Sequence, residues 1–198
     1  YTKAFTFHKI GLCYKALKQP TIALNYFQKS LREDPQFYLA MMEQSYLYEE
    51  MGGMPEALHF AREATLLNDS NLDYQKRLAF LFIDSGKFEE SLSCLKKLVD
   101  AEPSRFYNWY AYTEVLMLVG EYEEAVTVLK EALKHHNRAE LYYQLSNCYL
   151  NLKNNEKGAE TLEKALALDP TLITDMQKKY PYIKDEVKKA KAKVKKKN

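Results

Sequence analysis

The sequence predicts an all-α fold of about five stacked helix pairs, on three observations. Small residues recur every 34 positions, large apolar residues keep step with them, and a helix-stopping residue closes each interval. A period of this length marks a chain assembled from repeated supersecondary units.

The small positions set the register. Gly11, Ser45, Ala79 and Thr113 are each 34 apart, and Ser146 follows after 33. Ala23, Ala57, Ser91, Ala125 and Gly158 keep the same step, as do Ser30, Ala64, Leu98, Ala132 and Ala165, where Leu98 is the one large member. Two antiparallel helices approach closely only where one side chain is small and a large one opposite fills the space. The large partners recur as Tyr14, Tyr48, Phe82, Leu116 and Tyr149, and as Ile10, Leu78, Tyr112 and Leu145, with Gln44 breaking the second series. One helix pair cannot bury its apolar face alone, so several must stack.

Each unit is punctuated in order. The first pair turns at Gln19-Pro20, the second at Gly52-Gly53 with Pro55 in the first helical turn, where a missing N–H is harmless. Gly86-Lys87-Phe88 and Gly120-Glu121-Tyr122 turn the third and fourth, and Lys153-Asn154-Asn155 the fifth. Pro35, Asp69, Pro103, Asn137 and Pro170 close the units, which gives boundaries at about 4–37, 38–71, 72–105, 106–138 and 139–172. Within the fourth unit Trp109, Tyr112, Leu116 and Val119 follow helical spacing.

These residues resemble the tetratricopeptide repeat family, whose pattern is an aromatic, Leu-Gly, a Tyr, a turn Gly, then Ala, Phe, Ala and a closing Pro. The first unit carries Phe7, Ile10-Gly11, Tyr14, Ala23, Phe27, Ser30 and Pro35. The fourth carries Trp109, Tyr112-Thr113, Gly120, Ala125 and Ala132, and the fifth Tyr142, Leu145-Ser146, Tyr149, Ala165 and Pro170. Gln44 and Gln75 depart from the pattern and weaken the second and third units. The resemblance implies a right-handed α-α superhelix, a solenoid with a concave groove lined by the first helix of each pair. Beyond Pro170, Ile183, Val187, Ala190 and Val194 draw a narrow apolar stripe, and residues 173–198 are expected to form a capping helix and a lysine-rich tail.

Composition bounds the chemistry. The chain has 198 residues, 46% apolar and 28% charged, with only 6 Gly and 6 Pro, too few for a many-turned β protein. From Lys184 to Asn198 eight lysines face Asp185 and Glu186, a net +6, which leaves −4 on the remainder of a chain whose total is +2. The tail has no Arg and few aromatics, so a solvated helix end is expected rather than a nucleic-acid arm; affinity for polyanions stays open. Cys13, Cys94 and Cys148 are widely spaced and form no CxxC pair, which argues against disulfides and zinc and predicts buried, reduced thiols. No apolar run approaches the ~20 residues of a membrane span, and no signal peptide is evident. A cytoplasmic protein is expected. Because the chain opens at Tyr1 inside a helical pattern, it reads as a fragment or processed form.

No active site is apparent. Glu89-Glu90 and Glu123-Glu124 each open a helix, where carboxylates meet the positive end of the dipole. His135-His136 closes one, with no suitably spaced ligand nearby. Phosphate loops and zinc or nucleophile motifs are missing. The reading is a non-enzyme that uses no cofactor and no metal.

Function is therefore expected in the groove. Helical spacing places Tyr46, Lys76, Arg77, Phe80, Tyr107, Tyr110, Tyr143 and Asn147 on its wall. Rigid aromatics on a concave surface suit capture of a peptide or helix; packing between neighbouring repeats is the alternative for each. Lys76 and Arg77 can hold an acidic group, or Asp73 and Asp84 can neutralise them. Some family members grip chaperone tails with a carboxylate clamp of Lys and Asn, then Asn, then Lys and Arg. Here His8 and Leu12, Glu43, then Asp73 and Arg77 stand at those positions. A shift by one unit brings Lys76, Phe80 and Ala111 and also fails. No clamp-type chaperone binding is expected. The predicted function is a protein-interaction scaffold. Its rivals are a self-assembling module, dimerising through an exposed terminal repeat, and a regulatory domain of a longer enzyme.

Overall fold

The structure is a computed structural model that describes residues 2–171; the expected capping helix and lysine-rich tail lie outside the described residues. Among these residues there are ten α-helices and no strands. They are α1 (Lys3–Ala16), α2 (Pro20–Glu33), α3 (Tyr38–Glu50), α4 (Met54–Leu67), α5 (Leu72–Asp84), α6 (Phe88–Ala101), α7 (Phe106–Leu118), α8 (Tyr122–His135), α9 (Ala139–Asn151) and α10 (Asn155–Leu168). The chain divides into two compact units, Tyr1–Lys97 and Leu98–Asn198. The division falls inside α6.

In the first unit α1 packs on α2, α2 on α3, α3 on α4 and α4 on α5. The small–large rule is visible at Gly11: a Cβ there would lie 2.5 Å from a ring carbon of Phe27, which is completely buried. Ala23, Ala40 and Leu47 complete that core. Ser30, small for the same reason, donates its hydroxyl to the carbonyl of Ala4 at 2.7 Å. Tyr14 stacks on Tyr26 and, 34 residues on, Tyr48 stacks on Phe60, with centroids 5.3 and 5.6 Å apart. The repeat thus carries its own aromatic pair in the first two helix hairpins.

The turns between paired helices need one left-handed residue. Gly52, Gly86 and Gly120 supply it with φ of 80°, 70° and 85°; Lys18 and Lys153 take the same place at 56° and 58°. A side chain pays a steric penalty in that region that glycine does not.

In the second unit α9 contacts α7, α8 and α10. Thr113 donates to Gln144 Oε1 at 2.7 Å, and Ser146 donates to the carbonyl of Gly158 at 2.7 Å. Pro103 closes its unit with a carbonyl that accepts from Trp109 Nε1 at 2.8 Å and lies 3.0 Å from His136 Nε2. His135 stacks on Trp109 at 5.7 Å. The two histidines are thereby engaged with the α7 end of the unit.

One expectation needs correcting. Cys94 and Cys148 are buried, but Cys13 is exposed, because it lies two residues, about 200°, around α1 from the buried Gly11. Burial pushes the Cys148 thiol up to about 12 and raises that of Cys94. The two departing glutamines also differ. Gln75 donates to Asp69 Oδ1 at 2.6 Å and to its carbonyl at 3.0 Å, and so helps close the α4–α5 loop. Gln44 is fully buried with neither amide atom partnered.

Candidate partner-binding site

The first unit brings four predicted residues together. Tyr46 on α3 and Lys76, Arg77 and Phe80 on α5 line one cavity of about 370 Å³ with Glu49, Asp73 and Leu81. Helical geometry explains the grouping: Lys76, Arg77 and Phe80 share a face at three- and four-residue steps, as do Tyr46 and Glu49.

The floor of this cavity is an internal network. The Arg77 guanidinium lies 3.7 Å from the Tyr46 ring centroid. Its Nε donates to Ser45 Oγ at 3.0 Å, and its Nη1 donates to Glu49 Oε2 at 3.0 Å. The Arg77 side chain is only 9% exposed, against 37% for Glu49. Nη2 is buried and has no acceptor. Lys15 of α1 pairs with Glu43 at 2.7 Å and holds its ammonium 4.9 Å from the same Tyr46 ring. A flat ring in contact with two cations, each balanced by an α3 carboxylate, is held in place before any partner arrives.

Neither Asp73 nor Asp84 neutralises Arg77, contrary to the alternative drawn from the sequence. Glu49, one helix away, does. Phe80, 44% exposed, and Lys76, exposed, stand at the mouth. The sequence pointed to the anchors and missed Ser45, Glu49 and Lys15. A signal was present: Lys15 and Glu43, and again Glu49 and Arg77, are opposite charges 28 residues apart. In a 34-residue repeat that spacing connects successive first helices.

His8, which stands at a clamp position, is buried against Phe27 and Phe37, with centroids 5.7 and 5.4 Å away. Burial lowers its pKa, Glu43 opposes that shift and Lys9 adds to it.

The second unit separates its four candidates. Tyr107 is 78% exposed, and Tyr110 is half-buried. Both contact Phe106, which Arg138 caps at 4.0 Å while pairing with Glu140 at 2.8 Å. Tyr143 and Asn147 do not reach the surface, with exposures of 0% and 1%. Both therefore serve the interior. Asn147 contacts Met117 Sδ at 3.6 Å and accepts from Asn151 Nδ2 at 2.8 Å. Among the described residues, no three His, Cys, Asp or Glu side chains form a group able to hold a metal, and no helix is long and apolar enough to cross a membrane.

A family model described as tetratricopeptide repeat matches residues 6–37 and 139–172, the first and last helix pairs. The solved structure of YrrB, described as a tetratricopeptide repeat protein with an unusual peptide-binding site, superposes with a TM-score of 0.72 at 19% identity, covering 89% of this chain and 91% of that one. The chain carries repeats of the tetratricopeptide family.

Its fold is the all-α tetratricopeptide solenoid. The chain is 27% identical over 150 residues to protein O-mannosyl-transferase TMTC1 of Homo sapiens, a match covering 70% of this chain and 16% of that protein. It is 26% identical over 95 residues to TPR repeat-containing protein YpiA of Bacillus subtilis (strain 168), covering 48% and 22% respectively. The chain therefore matches less than a quarter of the length of these curated relatives.

Proposed function

We propose that this tetratricopeptide repeat chain is a non-catalytic scaffold that takes a peptide or helix of a partner protein on the α3–α5 face. One observation carries the reading. The 370 Å³ cavity has a prebuilt floor, Tyr46 with Arg77, and an exposed rim, Lys76 with Phe80. An ordered aromatic–arginine pair beside an exposed aromatic is the composition of an interaction hot spot. Preorganisation lowers the entropy lost on binding. The peptide-binding site in the description of YrrB supports the same use of this fold. Tyr107, with Tyr110 beside it, offers a separate contact in the second unit. A carboxylate clamp is not expected, since Arg77 alone survives of its basic and amide set. The reading places the protein in the cytoplasm and needs no cofactor.

The test is capture of blocked random-sequence peptides on an array by the intact chain, compared with Phe80→Ala. Phe80 is partly exposed, so its loss leaves the fold intact while removing the rim. Equal capture by both proteins would exclude the α3–α5 face. Light scattering over a concentration series separates this reading from self-assembly, which predicts a mass that grows with concentration.

The length of the curated relatives favours one second reading, in which these repeats are the interaction segment of a longer protein whose catalytic part lies elsewhere. An immunoblot of the native product decides it.

A further inference from the structure

The guanidinium of Arg77 is a half-filled fork. Its Nε is taken by Ser45 and its face by Tyr46, and both contacts fix it independently of Glu49. Glu49 reaches only Nη1, and the neighbouring Nη2 has no acceptor. A carboxylate placed squarely on a guanidinium makes two parallel bonds, one to each nitrogen. A buried donor left without an acceptor is a standing cost that a second oxygen would remove. Glu49 is the more loosely held member of the pair: its side chain is 37% exposed, whereas Arg77 is 9% exposed. Lys76 stands beside the cavity, exposed and without an ion-pair partner among the described residues, so the incoming charge has a second cation to meet. Phe80 offers an apolar surface on the same wall.

We infer that Glu49 is an internal stand-in for a ligand, and that the cavity takes an acidic side chain of a partner peptide, neighboured by an apolar residue, in exchange for Glu49. This deepens the reading of the α3–α5 face given above and rests on it. The incoming carboxylate bonds Nη1 and Nη2 together, Glu49 swings to solvent, and the adjacent apolar side chain lies on Phe80. The recognised chemistry is a carboxylate, and peptides with blocked ends confine the test to one carried by a side chain. Glu49 is partly exposed, so it can leave Nη1 by a change of rotamer.

The experiment uses the intact chain on an array of acetylated, amidated random-sequence nonapeptides, with the wild type, Glu49→Gln and Lys76→Glu compared. Blocked ends remove any contribution from terminal carboxylates. The expected result is enrichment of Asp or Glu next to Leu, Ile or Phe. Affinity for the selected peptides should rise roughly three- to tenfold in Glu49→Gln, where the competitor is weakened, and fall by at least that in Lys76→Glu. Circular dichroism confirms that each variant is folded. Selected peptides without acidic enrichment, or unchanged or weaker binding by Glu49→Gln, would overturn the exchange while leaving the face as a binding site. Capture of no peptide by folded wild type would remove both readings.

Discussion

The guanidinium of Arg77 lies 3.7 Å from the centroid of the Tyr46 ring, so two residues that the sequence offers as independent anchors are each other's partner across α3 and α5. Their contact is part of the fold before it is part of any site. Such contacts are worth about 0.5–2 kcal/mol, more where water is excluded. Tyr46→Ala is therefore expected to lower unfolding free energy by about 2–3 kcal/mol, and a Tyr46/Arg77 double-mutant cycle in urea should return a coupling of about 0.5–2 kcal/mol. Additive single effects would mean that the stacking contributes nothing.

His8 predicts how stability depends on pH. Its folded pKa lies below the ordinary 6.5, chiefly because the ring is buried. The unfolded chain thus binds the proton more readily, and stability falls as pH drops from 6.5 toward the folded value, below which the loss is complete. Above 6.5 the residue contributes no slope. Urea midpoints measured between pH 8 and pH 5 should decline less in His8→Leu than in the wild type, and parallel curves would refute the assignment.

Gln44 occupies a fully buried position with both amide atoms unpartnered. A buried polar group left unsatisfied costs about 1–3 kcal/mol. Gln44→Leu, close in volume and matching the apolar residues at the same register, should raise stability by that order. Thermal denaturation reads the gain directly; a lowered midpoint would mean that the amide has a partner in solution.

Lys18 and Lys153 hold the left-handed turn conformation that Gly52, Gly86 and Gly120 hold elsewhere. Replacing either with Gly relieves a penalty of about 1–2 kcal/mol and adds back some chain entropy, for a net gain of about 0.5–1 kcal/mol. Matched urea melts of the two single variants check it.

Cys13 is exposed while Cys94 and Cys148 are buried with raised thiol pKa values. Since the thiolate is the reacting form, a thiol reagent at neutral pH should label one cysteine in the native chain and three in denaturant. Intact-mass spectrometry counts them.

Most of the fold was legible because the repeat is a packing rule written along the chain. Gly11 against Phe27, and Ser146 against Gly158, are contacts that a small residue at fixed spacing foretells. The site was half legible. The same spacing placed Tyr46, Lys76, Arg77 and Phe80 around one cavity. It could not show that Tyr143 and Asn147, equivalent in register to groove positions, are interior. Periodicity reports which face of a helix a residue shares; it does not report how many neighbours cover that face. Glu49 was passed over because its partner lies on another helix, 28 residues on.

The paired charges Lys15–Glu43 and Glu49–Arg77 link α1 to α3 and α3 to α5. In mechanical terms they are two electrostatic struts between neighbouring ribs of the first unit, and each has at least one partly exposed member. Ions in solution weaken exposed struts more than buried ones. The compliance of this face is thus set partly by the surrounding salt, and stretching of a single tethered molecule should meet less resistance at high ionic strength in this unit than at low.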